Sequence, residues 1–104
     1  MERLCFLMHL VPGQEAEYER RHAEIWPEMR DAVSAAGFTN YGLFRRGSTV
    51  IGYAECVPDV ATVLATIGAA EVNTGWAESF SHIIESMTDE SGGLIRFHEV
   101  WHLA

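Results

Sequence analysis

The chain has 104 residues, enough for one domain spanning residues 1–104 and too few for two. Hydrophobic residues make up 48% and charged residues 21% of it, a composition that excludes an intrinsically disordered chain. Lysine and arginine number 7 against 15 aspartates and glutamates, so the formal charge is −8, and no basic stripe is visible. This charge argues against nucleic acid or an anionic membrane as a partner and tolerates a neutral small molecule.

Cysteine usage and hydropathy indicate where the protein works. Cys5 and Cys56 lie in apolar runs and are too few for a disulfide scaffold, so we expect two buried thiols in a reducing compartment. The apolar run at the N-terminus is short, is interrupted by His9 and lacks a small-residue cleavage site, unlike a secretory signal. No stretch approaches the length of a membrane span. The sequence therefore predicts a cytoplasmic protein.

The first third of the chain predicts a strand followed by a long helix. A dense apolar run, bounded by a Pro-Gly pair, predicts the strand over residues 3–11. Apolar residues at spacings of three and four predict one amphipathic helix over residues 14–36, which Gly37 ends.

The rest of the chain completes an alternating pattern. Two β-rich runs, residues 38–46 and 49–56, are separated by a Gly-Ser pair and predict a hairpin. Residues 58–70 and 71–87 predict helices, and a glycine-rich loop precedes a last strand over residues 94–103. The order β-α-β-β-α-β predicts an α+β, ferredoxin-like domain, a four-stranded antiparallel sheet with helices on one face.

The first and last predicted strands are apolar on both faces, although helices cover only one. A strand that is apolar on both faces needs a second cover. We therefore expect a symmetric homodimer in which two sheets pack face to face, as in a dimeric α/β barrel. The first strand places Leu4, Phe6, Met8 and Leu10 on one face and Cys5, Leu7 and His9 on the other; the last strand places Ile95, Phe97, Trp101 and Leu103 on one face and Arg96, His98, Val100 and His102 on the other.

His98, Glu99 and His102 match the zinc-protease motif H-E-x-x-H. That motif needs a helix, which brings residues i and i+4 to one face. The surrounding residues predict a strand, in which the two histidines lie about 13 Å apart at roughly 3.3 Å per residue. We therefore expect no metal site here.

The segment from Tyr18 to Pro27 is the most informative. Tyr18, His22 and Trp26 step by four and share one helix face. A histidine between two aromatic residues is either a core histidine or an acid/base group in a pocket. Pro27, taken as interior to the helix, predicts a distortion one turn past the histidine, which favours the pocket.

Two further features suit a pocket for a carbohydrate. Asn40 and Tyr41 offer an amide and a phenol, and Trp76 offers an indole face. Sugars present polar edges and apolar C–H faces, so this is a suitable lining. Core packing is the competing interpretation for each aromatic residue taken alone.

Together these residues resemble the L-rhamnose mutarotase family over essentially the whole chain. The resemblance implies a dimeric ferredoxin-like protein that interconverts the α and β anomers of L-rhamnose without a cofactor or metal. It implies His22 as the acid/base residue and Tyr18, Tyr41 and Trp76 as the residues that contact the sugar. The residues that carry it are Tyr18, Arg20-Arg21-His22, Ile25-Trp26-Pro27-Glu28, Gly37, Asn40-Tyr41, Trp76 and Glu99-Val100-Trp101-His102-Leu103.

One departure from the family bears on the substrate. The family commonly has two consecutive tryptophans where this chain has Trp76-Ala77. A smaller side chain enlarges or reshapes the pocket, which keeps the reaction type and leaves another deoxy-sugar or a pentose open as the substrate.

Two other functions remain open at this point. Small dimeric ferredoxin-like proteins also serve as cofactor-free monooxygenases or as heme-degrading proteins, for which His9, His22 or His98 would be a ligand. The third hypothesis is a sugar-binding dimer without catalytic activity, for which the missing second tryptophan is the main argument.

Overall fold

A computed structural model describes residues 1–104 as an α+β structure with one antiparallel sheet. None of its helices combines the length and apolar character needed to cross a bilayer. In chain order the elements are β1 (Glu2–Leu10), α1 (Glu15–Ala23), α2 (Pro27–Ala36), β2 (Phe38–Arg46), β3 (Thr49–Cys56), α3 (Val60–Gly68), α4 (Glu71–Ser79), β4 (Ile84–Ser86) and β5 (Ile95–Phe97).

The strand order β2-β3-β1-β4 confirms the ferredoxin-like arrangement. The fourth position of the sheet is divided between two short strands. β4 pairs with His9 and Leu10 of β1, whereas β5 pairs with the segment from Cys5 to Leu7. The sheet thus has five strands where four were predicted, because residues 87–94 leave the sheet edge between β4 and β5.

The prediction of one helix over residues 14–36 is wrong, because two helices occupy it. α1 ends at Ala23, and Pro27 occupies the first turn of α2. A proline fits there because the first helical residue needs no backbone donor, so the expected distortion inside a helix does not arise. Trp26 is the N-cap of α2 and lies outside α1. Gly37 ends α2 as predicted, with a positive φ of 111°.

The C-terminal predictions also need correction. Residues 71–87 do not form one helix, because α4 ends at Ser79 and residues 84–86 are β4. The last strand covers only residues 95–97 of the predicted 94–103. Phe97 pairs with Cys5 of β1, which runs in the opposite direction and begins at Glu2. Only a few residues of β1 therefore remain for the chain after Phe97 to pair with. Residues 98–104 have no regular secondary structure and are exposed.

The helices cover one face of the sheet and enclose the core. Leu4, Phe6, Met8 and Leu10 of β1 are buried there, as predicted. Cys56 is buried as a free thiol, but Cys5 lies on the opposite face and is only half-buried. The remaining core residues come from the helices, from β3 and from the segment before β4: Tyr18, Met29, Ala36, Val50, Ala54, Val60, Val63, Ile67, Phe80 and Ile83.

The opposite face, which we call the open face, carries a row of apolar residues across three strands. Leu7 of β1 pairs with Ile51 of β3, and Ile51 pairs with Phe44 of β2. In the single chain Ile51 is 38% exposed and Phe44 66% exposed. Phe97 of β5 adds a further ring, 47% exposed, beside this row. β1 is therefore apolar on both faces, as predicted.

Candidate active site

A cavity of about 370 Å³ lies between the helix-covered face of the sheet and the helices. It brings together the four residues that the family resemblance assigns to the site, Tyr18, His22, Tyr41 and Trp76. Its volume lies in the range of ligand pockets, and its wall is almost wholly apolar. The lining residues are Leu4, Phe6, Met8, Tyr18, His22, Met29, Val33, Phe38, Tyr41, Leu43, Leu64, Ile67, Asn73, Trp76, Ala77, Phe80, Ile84, Met87 and Leu94.

Helix α1 fixes the ring of His22. Tyr18 and His22 are one turn apart on the same face, and their ring centroids lie 4.4 Å apart. Nδ1 of His22 donates a hydrogen bond of 3.0 Å to the carbonyl oxygen of Tyr18, since a carbonyl only accepts. Nδ1 therefore carries a proton, and in the neutral ring Nε2 has the free lone pair.

The surroundings of His22 favour its neutral form. Burial lowers the pKa of the imidazole, and the hydrogen bond to the carbonyl of Tyr18 opposes part of that effect. The ring is partly enclosed by two other aromatic side chains. The ring centroids of Trp76 and Phe80 lie 5.6 Å and 5.3 Å from that of His22. An uncharged imidazole with a free Nε2 is a base at neutral pH.

Trp76 holds its place through aromatic contacts from two directions. Its ring centroid lies 5.0 Å from that of Trp26 and 4.7 Å from that of Phe80. Trp26 thus supports the site, although it lies outside α1 and not on the shared face that the spacing predicted. The indole of Trp76 forms a fixed apolar wall beside His22.

A β-bulge directs Tyr41 toward the cavity. Asn40 and Tyr41 together stand opposite one residue of β3, which shifts the alternation of side chains by one. Asn40 takes the positive φ of 45° that the bulge requires, a conformation that asparagine tolerates. The ring of Tyr41 stacks on Phe38 at 5.1 Å and meets the edge of Phe6 at 6.4 Å.

The amide of Asn40 does not line the cavity, contrary to the sequence-based interpretation. Its Nδ2 donates to the carboxylate of Glu55 at 3.0 Å. The contribution of Asn40 is the backbone bulge, which sequence spacing did not reveal.

Both tyrosine hydroxyls are held in their protonated form. Burial raises the pKa of Tyr18 well above its ordinary value. Apolar surroundings raise the pKa of Tyr41 to about 12. In this structure the hydroxyl of Tyr18 donates to the sulfur of Met8 at 3.7 Å, a weak acceptor that a polar ligand atom can displace. The two phenols are therefore neutral hydrogen-bond donors.

Arg21 joins the helix of His22 to the helix of Trp76, a contact that the sequence did not reveal. Its Nη1 donates to the carbonyl oxygen of Ser79 at 2.6 Å, at the C-terminal end of α4. Its Nε donates to Glu17 at 2.9 Å, and its guanidinium carbon lies 5.5 Å from the centre of the Phe80 ring. The hydrogen bonds from Arg20 and Arg21 hold the pKa of Glu17 at about 2, so the carboxylate stays charged.

Ala77 lies on the boundary between the main cavity and an adjoining one. The second cavity, of about 290 Å³, lies toward β4. The two share the wall residues Ala77, Phe80, Ile84 and Met87. The short side chain of Ala77 thus leaves room on the side of the cavity where the family commonly has an indole.

The other histidines singled out from the sequence lie away from this cavity. His9 is on the open face, and His98 and His102 follow β5 in a segment without helix or strand. Nε2 of His102 lies 2.6 Å from a guanidinium nitrogen of Arg3. No group of three or more histidine, cysteine, aspartate or glutamate side chains is placed to share a metal ion. Only His22 among the proposed heme ligands faces the cavity.

Comparisons with known proteins bear on this site. The L-rhamnose mutarotase of Listeria monocytogenes is 36% identical over 106 residues, covering 100% of both chains. That of Bacteroides thetaiotaomicron is 35% identical over 103 residues, covering 99% of both. The crystal structure of the L-rhamnose mutarotase of Formosa agariphila has a TM-score of 0.80 over 100% of both chains at 23% identity, which supports the fold. A family model described as L-rhamnose mutarotase matches residues 3–103. The chain therefore belongs to the L-rhamnose mutarotase family.

Proposed function

We propose that this protein interconverts the α and β anomers of L-rhamnose by acid/base-assisted opening and closing of the sugar ring. The observation that carries the proposal is the placement of His22, with Nε2 free, in a cavity that also contains two protonated phenols and an indole wall. Membership of the L-rhamnose mutarotase family supports the same reaction.

The reaction consists of proton transfers and one reversible bond cleavage. A base removes the proton of the anomeric hydroxyl while the ring oxygen gains a proton, so the bond from C1 to the ring oxygen breaks and an aldehyde forms. Rotation about C1–C2 turns the other face of the aldehyde toward the hydroxyl formed from the ring oxygen. That hydroxyl attacks C1 again and closes the ring. No electrons are exchanged, so acid/base groups suffice.

We assign the base to Nε2 of His22. The imidazole is neutral at pH 7 because burial lowers its pKa, so it starts the cycle as a proton acceptor. The imidazolium formed is the acid of the same step, because it gives this proton to the ring oxygen as the ring opens. On closing, Nε2 takes the proton of the attacking hydroxyl and returns it to the oxygen on C1. The hydrogen bond from Nδ1 to the carbonyl of Tyr18 keeps the ring orientation fixed through both steps.

We assign substrate contacts to Tyr18, Tyr41 and Trp76. Both phenols are protonated at neutral pH, as phenols ordinarily are, so they donate hydrogen bonds to sugar oxygens. Trp76 packs its indole face on the C–H face of the sugar. A fixed wall beside His22 also confines the open-chain aldehyde, which lowers the entropic cost of closing the ring.

The wall of the cavity favours a 6-deoxy sugar. Most of its lining is apolar, which suits a methyl group at C6 better than a hydroxymethyl group. Ala77 leaves additional room, so a related deoxy-sugar or a pentose is the alternative substrate.

The test is anomer exchange by NMR. One anomeric proton of L-rhamnose is saturated and transfer to the other is measured, with and without protein, beside fucose, galactose, arabinose and xylose. Faster exchange of rhamnose supports the proposal. Faster exchange of a different sugar keeps the reaction and reassigns the substrate, and binding without faster exchange supports a non-catalytic sugar-binding protein.

We also propose that a second copy of the chain covers the open face, in the cytoplasm. The row formed by Leu7, Ile51 and Phe44 crosses three strands and has no cover within one chain. The segment after β5 leaves Trp101 and Leu103 largely exposed as well. A symmetric pair of sheets buries such a surface on both partners at once.

A further inference from the structure

We infer that Asn73 is a further substrate-binding residue, whose side-chain amide holds two neighbouring hydroxyls of the sugar. The inference rests on the proposed function and specifies which hydroxyls of the sugar a residue of α4 binds.

Asn73 is the one amide in an otherwise apolar wall. Apart from Asn73, polar hydrogens in the wall come only from the imidazole of His22, the hydroxyls of Tyr18 and Tyr41 and the indole N–H of Trp76. Helix α4 places Asn73 three and four residues before Trp76 and Ala77, and residues at these spacings share one helix face. The amide therefore lies beside the indole that we assign to the sugar.

The amide of Asn73 has no hydrogen-bond partner in the protein. The other asparagine, Asn40, uses its amide to bind Glu55. The helix does not need the side chain of Asn73 either, since its backbone N–H already donates to the carbonyl of Ala70 at 3.1 Å. No side-chain nitrogen or oxygen is both buried and without a partner, so this amide is open to solvent in the cavity. Its oxygen and nitrogen are thus free to bind sugar hydroxyls in place of solvent.

The chemistry of the amide matches a pair of neighbouring hydroxyls. The side-chain oxygen accepts and the nitrogen donates, and the two atoms lie side by side. Two adjacent hydroxyls of a pyranose offer one donor and one acceptor at similar spacing. The anomeric oxygen belongs to His22, so the available pairs are O2 with O3 and O3 with O4. Both pairs contain the C3 hydroxyl.

The experiment measures sugar binding separately from catalysis. Binding of L-rhamnose is followed by tryptophan fluorescence, to which Trp76 in the cavity wall contributes, and exchange is followed by NMR, for the wild type and Asn73→Ala. We expect Kd to rise about tenfold, the size of one or two lost neutral hydrogen bonds, with little change in the rate of exchange at saturation. Thr74→Ala is the matched control, because Thr74 is exposed on the same helix and does not line the cavity.

Analogues of L-rhamnose that lack one hydroxyl identify the group that Asn73 binds. An analogue that lacks a hydroxyl bound by Asn73 has already lost that hydrogen bond, so Asn73→Ala should weaken its binding much less than tenfold. This result is expected for 3-deoxy-rhamnose and for either the 2-deoxy or the 4-deoxy analogue. The third analogue should keep the full effect. Equal Kd values for wild type and Asn73→Ala, or the same loss with every analogue, would overturn the inference. Failure of the proposed reaction is seen separately, as absent exchange by a wild type that binds the sugar.

Discussion

The side chain of His22 donates from Nδ1 to the carbonyl oxygen of Tyr18, 3.0 Å away and one turn earlier in the same helix. This bond sets the tautomer of the imidazole from within a single helix, without a carboxylate partner. The ring therefore keeps Nε2 as its acceptor, and burial keeps it neutral. These two properties define the base that the proposed reaction needs.

The pH dependence of the activity should report the lowered pKa of His22. The base works only when neutral, so kcat/KM should rise with pH through a midpoint below 6.5, the ordinary value for histidine, and stay level toward pH 8. The profile is measured by anomer exchange between pH 5 and pH 8. A midpoint at or above 6.5 would contradict the effect of burial on this residue.

Arg21 should act as a positioning residue. Its guanidinium binds Glu17 and Ser79 at once and so links α1 to α4, which a lysine ammonium does not reproduce. Arg21→Lys should lower kcat by roughly tenfold to a hundredfold, because misplacing a catalytic group by about 1 Å has effects of that size. Steady-state exchange rates and thermal unfolding check this together.

Arg20→Lys is the control for that variant. Arg20 lies on the same helix but pairs only with Glu17 and Glu24, at the surface. Its replacement should leave kcat within about twofold, since exposed ion pairs contribute little. Equal kcat values for Arg21→Lys and the wild type would remove the positioning role.

The contact between Phe6 and Gly52 should be the most sensitive point of the sheet. A Cβ atom on Gly52 would lie 2.2 Å from the Phe6 ring. Gly52→Ala should therefore lower the free energy of unfolding by about 1–3 kcal/mol, the usual cost of overpacking a core. Gly68→Ala is the control, because nothing lies within 4 Å of its Cβ position. Urea unfolding measures the free energy of unfolding of both variants. Equal values for Gly52→Ala and Gly68→Ala would contradict the prediction and show that the Phe6 ring moves aside without cost.

Ile51 tests the proposed dimer. It lies at the centre of the apolar row on the open face, so Ile51→Lys should convert a dimer into a monomer by burying an unpaired charge at the interface. Ala61→Lys, exposed on α3 on the helix-covered side, should leave the mass unchanged. Sedimentation equilibrium at micromolar concentration gives both masses. A wild type that is already monomeric there would refute the dimer.

Local signals were enough to predict much of the sheet. The bounds of β2 and β3 agree with the predicted 38–46 and 49–56, because a hairpin is defined by its own turn. The proline at position 27 misled the helix assignment, since a proline at a first turn and one inside a helix look alike in a continuous periodic pattern. The short β4 and the early end of β5 depend on what β1 offers as a partner, which no local pattern contains.

In the site, as in the sheet, contacts within one element could be predicted from the sequence and contacts between distant segments could not. Tyr18 and His22 are neighbours through helical periodicity alone, so their spacing predicted their contact. Tyr41 reaches the cavity through a bulge, which depends on the register with β3. Arg21 contacts the end of α4, and Asn73 faces the cavity together with residues of the sheet. These contacts join segments that are far apart in the sequence, so residue spacing does not predict them.

The most direct test of the proposed function compares the wild type with His22→Gln by anomer exchange of L-rhamnose under NMR saturation. Glutamine keeps a polar side chain of similar reach but has no basic nitrogen, and a matched thermal unfolding curve confirms that the variant is folded. We predict that the wild type accelerates exchange and that the variant loses at least about a hundredfold of that acceleration, the range of general acid/base catalysis. Equal exchange rates for the wild type and His22→Gln would show that His22 is not the base.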